Sequence, residues 1–409
     1  MASSFSIKNY FKKIYSPLLL TEFYKRHDIT AVFEITEQTA RKNVVNILVD
    51  FYTSLDPSQR IDIEKELALI SSISTKHAPS LFLSLLKQKK IPHEETVLEC
   101  VSDHDKVLYY YMFNKEVFDD VLFFHDFYNT RGYMLYEAKE VELASANFAM
   151  TELQREFTRI INKENSDTSC DFVHNQLDDI LYLTTTFEGA SVLSTKRDSV
   201  TGEIDRTRTI KKIEEIKIVY LPHDQEILIS YTGSKYEKLI FLDTFLRIVC
   251  GCGYEEKIES FDLSPCKDET FDFSKTNKGV PLLTWKIKSA TLSFGGEKAK
   301  KRMRLTLPST AQEYGLTPLH STLKEIGIAK QLKEYTIENV ALSFSFTNAL
   351  KADKSVQVGC TLSKTKSSLC PLFPYDRLAR KLLKQAHIEQ GFVEAAKKEK
   401  EDVNRKWEV

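Results

Sequence analysis

The chain has 409 residues, of which 42% are hydrophobic and 28% charged, and its formal net charge is −1. This composition is typical of a globular protein and excludes a collagen-like, low-complexity or largely disordered chain. The length predicts two or three domains, each large enough to bury a hydrophobic core of its own.

The N-terminal residues lack the uninterrupted apolar run that a signal peptide needs, because Lys8, Lys12 and Lys13 divide the stretch. No apolar run approaches the roughly 18 residues of a membrane-spanning helix. The seven cysteines follow no regular spacing, which is typical of a reducing compartment. We therefore expect an unprocessed cytoplasmic protein that has no membrane partner.

Residues 1–165 are predicted to form a helical domain. Apolar side chains recur at helical spacing over 36–54, 59–72, 79–89 and 142–162. Asp56 and Pro57 end the first of these helices and begin the next. Short helices joined by short turns indicate a bundle or an irregular helical array.

Aromatic residues concentrate in the second half of this domain, with eleven of them between Tyr109 and Tyr136. The window 91–140 is also acidic, with 11 Asp and Glu against four Lys and Arg. Aromatic side chains beside carboxylates suit a protein interface, but aromatic side chains also dominate cores. We favour a core between the helices and the first sheet, and keep an interface as the alternative.

Two small units, each an antiparallel sheet with a helix on one face, are predicted to follow. In residues 166–255, strands are expected over 178–187, 214–221 and 226–231, and a helix over 236–250. In residues 256–372, strands are expected over 284–294, 302–307, 335–346 and 355–362, and a helix over 317–325. A long, increasingly charged helix over 373–409 completes the chain. The predicted fold class is therefore α+β.

Motifs for cofactors and covalent catalysis are missing from the sequence. Gly251, Cys252 and Gly253 follow a predicted helix instead of opening one, so they indicate a helix C-terminal cap and not a phosphate loop. Cys250, Cys252 and Cys266 lack the fourth ligand and the tight spacing of structural zinc. No G-x-S-x-G motif is present. The favoured function is therefore non-catalytic, with no cofactor and no metal.

One catalytic alternative stays open, a metal-dependent nuclease of the PD-(D/E)xK type. That chemistry needs an Asp and a Glu-x-Lys motif on adjacent strands, so that two carboxylates hold Mg²⁺ while the lysine helps to activate water. The candidate sets are Asp205 with Glu215 and Lys217, the same pair with Asp178 or Asp179, and Asp126 with Glu137 and Lys139. Alternating charges on a half-exposed strand produce the same short pattern, so the nuclease ranks second.

Positive charge gathers towards the C-terminus, where residues 285–409 hold 23 Lys and Arg against 13 Asp and Glu. Such clusters neutralise phosphates and suit a nucleic-acid backbone. The candidate nucleic-acid-binding residues are Lys298, Lys300, Lys301, Arg302, Arg304, Lys364, Lys366, Arg377, Arg380, Lys381 and Lys384. A solvated helix face, or pairing with the acidic part of the same chain, are the simpler alternatives.

The order of predicted elements from about residue 105 onward resembles a class of bacterial proteins. The features that carry the resemblance are IKIVYLPHDQEILIS, from Ile216 to Ser230, with the helix after it, and a second unit that ends in a strand pair and the segment Ser367 to Cys370. The resemblance implies an accessory role in a mobile or defence locus, and it brings no activity and no functional residues. The combined prediction is a cytoplasmic bacterial binding or scaffold protein with a protein partner or a second copy, and nucleic acid as a candidate partner.

Overall fold

The computed structural model describes residues 5–35, 39–74, 78–92, 102–164, 170–193, 209–294, 301–307, 315–326, 335–347 and 355–394. The chain divides into two units, Met1–Cys252 and Gly253–Val409, close to the boundary that we predicted after residue 255. Both units combine helices with antiparallel strands, so the predicted α+β class is confirmed. No helix in the described part of the chain is both long enough and apolar enough to cross a membrane.

The N-terminal unit begins with a layer of helices. These are α1 (Ile7–Phe11), α2 (Pro17–Lys25), α3 (Arg41–Ser54), α4 (Pro57–Ile73), α5 (Ala78–Gln88), α6 (Asp103–Phe113) and α7 (Lys115–Asn129). The aromatic residues of α6 and α7 are mostly buried, and Tyr110 stacks on Phe82 of α5 with ring centroids 4.2 Å apart. The structure therefore places this aromatic region in the core, as we favoured, and not at an open interface.

A five-stranded antiparallel sheet lies at the centre of this unit, in the order β1-β5-β4-β3-β2. Its strands are β1 (Met134–Glu137), β2 (Cys170–Leu177), β3 (Ile180–Leu193), β4 (Thr209–Leu221) and β5 (Glu226–Tyr231), with helices α8 (Leu143–Phe148), α9 (Met150–Glu164) and α10 (Lys235–Val249). The predicted division at residue 165 does not separate two bodies, because β1 pairs with β5. The segments 1–165 and 166–255 thus share one sheet.

Helices cover both faces of this sheet. Phe124 and Phe127 of α7 pack against Tyr182 of β3, with ring centroids 4.9 and 5.2 Å apart. Phe245 of α10 packs against Tyr220 of β4, at 5.7 Å. Tyr182 lies opposite Val219 in the register, so Tyr182 and Tyr220 point to opposite faces. The N-terminal unit is therefore three layers deep.

The predicted cap at the end of α10 is confirmed. Gly251 adopts a left-handed φ of 62°, which a residue with a Cβ adopts at a cost. The N–H of Cys252 donates to the carbonyl oxygen of Leu246 at 3.1 Å, which satisfies one of the free carbonyls of the last turn. The glycine cluster thus ends a helix.

The C-terminal unit is built on a second antiparallel sheet, of four strands in the order β10-β9-β7-β8, and a two-stranded sheet, β11-β6. Its elements are β6 (Lys257–Phe261), a 3₁₀ turn (Ser264–Lys267), α11 (Phe273–Thr276), β7 (Leu282–Phe294), β8 (Lys301–Thr306), α12 (Thr317–Glu325), β9 (Thr336–Thr347), β10 (Ser355–Ser363), α13 (Pro374–Gln385) and β11 (Glu389–Glu394). One core joins Trp285 of β7 and Phe344 of β9 to Leu382 and Leu383 of α13.

The end of the chain differs from the long helix predicted over 373–409. Helix α13 ends at Gln385, and His387 follows in the left-handed region with φ 55°. This turn lets Ile388 enter the core and lets β11 pair with β6. Residues 389–394 form a strand and not a helix because their backbone groups pair with those of β6. Residues after Glu394 lie outside the described part of the chain.

Candidate nucleic-acid interface

The four-stranded sheet has one covered face and one polar face. Along β10, Val358, Cys360 and Leu362 are buried, whereas Gly359 and Thr361 between them are exposed. Successive side chains of a strand point to opposite faces, so this alternation separates a core side from an outer side. In β7 and β9 the residues on the same side as Thr361 are also mostly Ser, Thr and Asn, although two of them, Ser293 and Ser343, are buried. The outer face is therefore made of small polar side chains.

The strand register arranges these side chains in rows. Arg304 of β8 lies opposite Thr291, Thr291 lies opposite Asn339, and Asn339 lies opposite Ser363. The next row consists of Thr306, Ser289, Ala341 and Thr361. Neighbouring strands are about 4.8 Å apart, so each row spans about 14 Å. Hydroxyl and amide groups beside an arginine form a surface that can donate hydrogen bonds to phosphate oxygens.

The charge of the four strands is strongly positive. They carry five cations, Lys286, Lys288, Lys301, Arg302 and Arg304, and a single carboxylate, Glu338. Arg302 is paired with that carboxylate, Nε to Oε2, at 2.7 Å. Lys301 and Arg304 are exposed, and within the described ranges no carboxylate forms an ion pair with either. Arg304 points to the outer face beside Thr291, whereas Lys301 lies opposite Phe294 and points to the side of Met303 and Leu305, which pack against the core.

Two further predicted residues lie at the same end of the sheet. Lys364 and Lys366 follow Ser363, the last residue of β10 and the end of the row that begins at Arg304. The segment that carries the two lysines is held by a backbone hydrogen bond, in which the N–H of Phe261 donates to the carbonyl oxygen of Lys364 at 2.9 Å. Both lysine side chains are exposed. The structure therefore brings together two of the predicted clusters. Lys298 and Lys300 lie outside the described residues.

The predicted residues of α13 do not join this surface. Helix α13 packs on the core side of the sheet, where Ala379, Leu382 and Leu383 are buried. Arg377 and Lys381 are on this helix, so the predicted residues divide between the two sides of the sheet. The predicted cations that the structure describes therefore do not form a single continuous face.

Arg380 needs a correction, because it is buried and neutralised. The residue is 4% exposed, and its guanidinium lies 2.6 Å from Glu389 and 3.3 Å from Glu259. Lys384 also has its Nζ 3.6 Å from Glu389. Arg380 faces inward because it sits between Ala379 and Leu382 on the buried side of the helix. Its ion pairs connect α13 to β6 and β11, so Arg380 cannot bind an external phosphate.

The residues of the nuclease alternative are only partly brought together. Asp205 lies outside the described residues. Asp178 and Asp179 form the turn between β2 and β3, where Asp178 has a φ of 52°. Lys217 lies opposite Thr184, four residues into β3, so it is roughly 13 Å from the turn along the strand. The structure therefore keeps these two aspartates away from the Glu215 and Lys217 pair.

A different aspartate reaches this pair. Asp126 of α7 approaches Lys217 with Oδ2 2.7 Å from Nζ, and Glu215 Oε2 lies 3.0 Å from the same Nζ. Lys217 also donates to Thr130 Oγ1 at 2.9 Å, and its side chain is 5% exposed. An ammonium has three donors, so these three acceptors satisfy it completely. Among the described residues, no three His, Cys, Asp or Glu side chains lie where they could hold a metal ion together.

The polar rows of the outer face were not predicted from the sequence. The signal was present in β9 and β10, where Ser, Thr, Asn or Gly alternates with buried apolar residues. We used that alternation only to predict strands. Which small polar residues share a row depends on the register between strands, and the register cannot be derived from one strand alone.

No protein-family model matches this chain, and no curated protein matches it significantly. The function is therefore inferred from the geometry and charge of the described residues.

Proposed function

We propose that this protein binds a nucleic-acid backbone through the polar outer face of the four-stranded sheet. The observation that carries the proposal is the excess of cations over carboxylates on the strands of that sheet, together with the exposure of Arg304 on the outer face. Lysine and arginine neutralise phosphates and release the counterions around them, which drives association.

The composition of the face favours contacts with phosphate over contacts with bases. Arginine, serine, threonine and asparagine side chains donate to phosphate oxygens, and all four occur in the two central rows. Stacking of single-stranded bases needs aromatic side chains. The outward-facing positions of the described rows carry none. We therefore expect binding that is strongly dependent on salt and nearly independent of base sequence.

The test measures the affinity of the full chain for a labelled duplex as a function of salt. Substituting Arg304→Glu and Lys364→Glu together should lower the affinity and reduce the slope of log K against log salt by about two units, one for each lost contact. The matched control is Arg377→Glu with Lys381→Glu, which changes the charge equally on the core side of the sheet. The control should retain most of the wild-type slope.

Two results would contradict this proposal. One is binding that does not respond to salt, because a backbone contact must release counterions. The other is an equal loss in both double variants, which would mean that only the net charge of the chain matters and not the sheet face.

The meeting of Asp126, Glu215 and Lys217 favours a second candidate function, Mg²⁺-dependent cleavage of nucleic acid. Two carboxylates beside a lysine are the residue types that this chemistry uses. Cleavage should then be lost in Glu215→Gln and kept in Glu214→Gln, because Glu214 bonds instead to the hydroxyl of Tyr231. Equal Mg²⁺-dependent cleavage by both variants would remove this candidate.

A further inference from the structure

The edge strands of the two sheets differ in their protection against pairing with another strand. β1 has only four residues, β8 carries Lys301, Arg302 and Arg304, and β2 carries Asp171. Short length and charged side chains are the usual means by which an edge avoids a partner. β10 is nine residues long and contains no charged residue and no proline. By these criteria, β10 is the least protected edge of the described sheets.

Part of the outer edge of β10 is occupied within the chain. Thr361 donates its N–H to Ser368 Oγ at 2.8 Å, and its carbonyl accepts from the N–H of Ser368 at 3.0 Å. The backbone groups of Thr361 therefore point away from β9. In an antiparallel strand the backbone N–H and C=O groups of every second residue point to the same edge. Gly359 and Gln357 therefore also direct their backbone groups away from β9. Both residues are exposed, and no described residue forms a hydrogen bond with these outward groups.

We propose that this open segment of β10 pairs with the same segment of a second copy of the chain. Antiparallel pairing about a two-fold axis at Gln357 places Gln357 opposite its own counterpart and Gly359 opposite Ser355. Each such pair exchanges two backbone hydrogen bonds. The pairing brings no like charges together, because the segment has none. This self-complementarity is the reason for assigning a second copy as the occupant.

The side chains of the segment fit this arrangement. Val356 would lie opposite Val358 of the second copy on the core side, and paired β-branched side chains stabilise neighbouring strands. On the other side, Gly359 leaves open space, since a Cβ at this position would meet no atom within 4 Å. The axis is perpendicular to the sheet, so the polar outer faces of both copies lie on one side. The inference does not depend on whether that face binds nucleic acid.

The test is sedimentation equilibrium of the full chain over a range of concentrations. Gln357→Pro removes an outward N–H and should leave the bonds to β9 intact, because proline is tolerated where an edge N–H faces solvent. Loss of the two symmetry-related central hydrogen bonds should lower the association constant about tenfold or more. Gln357→Lys should also weaken the dimer, because it places two ammonium groups opposite each other. Gln357→Ala keeps the backbone donor and should associate like the wild type.

The outcomes separate the proposal from its alternatives. Circular dichroism and the melting temperature check that each variant is folded. If Gln357→Pro does not fold, the association constant of Gln357→Lys tests the proposal instead. If the wild-type chain is monomeric at every concentration, the proposal is wrong. It is also wrong if β10 then pairs with a strand of a different protein. A dimer that both folded variants retain at full strength overturns it too, because its interface must then lie elsewhere.

Discussion

The two sheets of this protein are buried in different ways. In β4 of the first sheet, the six residues from Ile216 to Leu221 are all buried, because helices cover both faces. In β10 of the second sheet, buried and exposed residues alternate, because only one face is covered. A continuous apolar run is the ordinary sign of a doubly covered strand, and alternation is the sign of a strand with one wet face.

Charge follows the same division. The strands of the first sheet carry three Lys or Arg and six Asp or Glu, whereas those of the second carry five and one. Lys217 of β4 is covered by α7 and fully neutralised, while Arg304 of β8 is exposed. A cation on a strand thus has a structural role where a helix covers it, and is available to a ligand where none does.

The largest expected effect comes from the covered sheet. Tyr182→Ala removes a buried ring that contacts Phe124 and Phe127, and should reduce the free energy of unfolding of the N-terminal unit by about 3–5 kcal/mol. Thr361→Ala, on the wet face of β10, should change stability by less than about 0.5 kcal/mol. Urea unfolding followed by far-UV circular dichroism measures both, and similar losses would break the comparison between the sheets.

Two arginines of the C-terminal unit separate structural from available charge. Arg380→Ala removes the nearest partner of the buried Glu389 and leaves it only Lys384 at 3.6 Å, so the substitution should cost about 3 kcal/mol. Arg304→Ala, at an exposed position, should cost less than about 0.5 kcal/mol while weakening nucleic-acid binding. Trp285 is buried in the core of this unit, so its fluorescence reports the unfolding of the unit. Equal destabilisation by the two substitutions would contradict the structural role of Arg380 and the ligand-binding role of Arg304.

A smaller effect is expected at Lys217. Lys217→Met keeps the buried methylene packing, and the carboxylates left behind can regain water, since Asp126 and Glu215 are 56% and 32% exposed at their side chains. We therefore expect a loss of about 1–2 kcal/mol, below that of a pair buried on both sides. Lys212→Met, at an exposed position of the same strand, is the control and should be nearly neutral. A gain in stability would show that Lys217, Asp126 and Glu215 do not stabilise the fold, and would favour a functional role such as that of the nuclease alternative.

Many elements were predicted from local signals alone. The strand over 226–231 and the helix over 317–325 match β5 and α12 at both ends, and α4 extends the predicted helix over 59–72 by only a few residues. Such elements are bounded by proline, by turn residues or by caps that act within a few positions of the chain. The glycine cap after α10 is of the same kind, because the left-handed conformation at Gly251 is a local requirement.

The candidate site was predicted only in part, for the opposite reason. Arg304 and Lys364 were identified from charge clustering, which the sequence shows directly, whereas the face to which Lys301 points was set by the strand register. The partly buried pairing of Arg380 with Glu259 joins residues 121 positions apart, and the hydrogen bond from Lys217 to Thr130 joins residues 87 positions apart. No periodicity or local composition specifies such partners.

The sequence by itself determined the α+β class, most helices and strands, and the gathering of positive charge near the C-terminus. Those properties depend on periodicity and composition over short stretches, where each residue acts on its neighbours along the chain. Only the tertiary structure decided which cations are neutralised, which sheet face stays uncovered and which edge strand stays open. These depend on register and on packing between distant segments, because a side chain is exposed or buried according to what the rest of the fold places upon it.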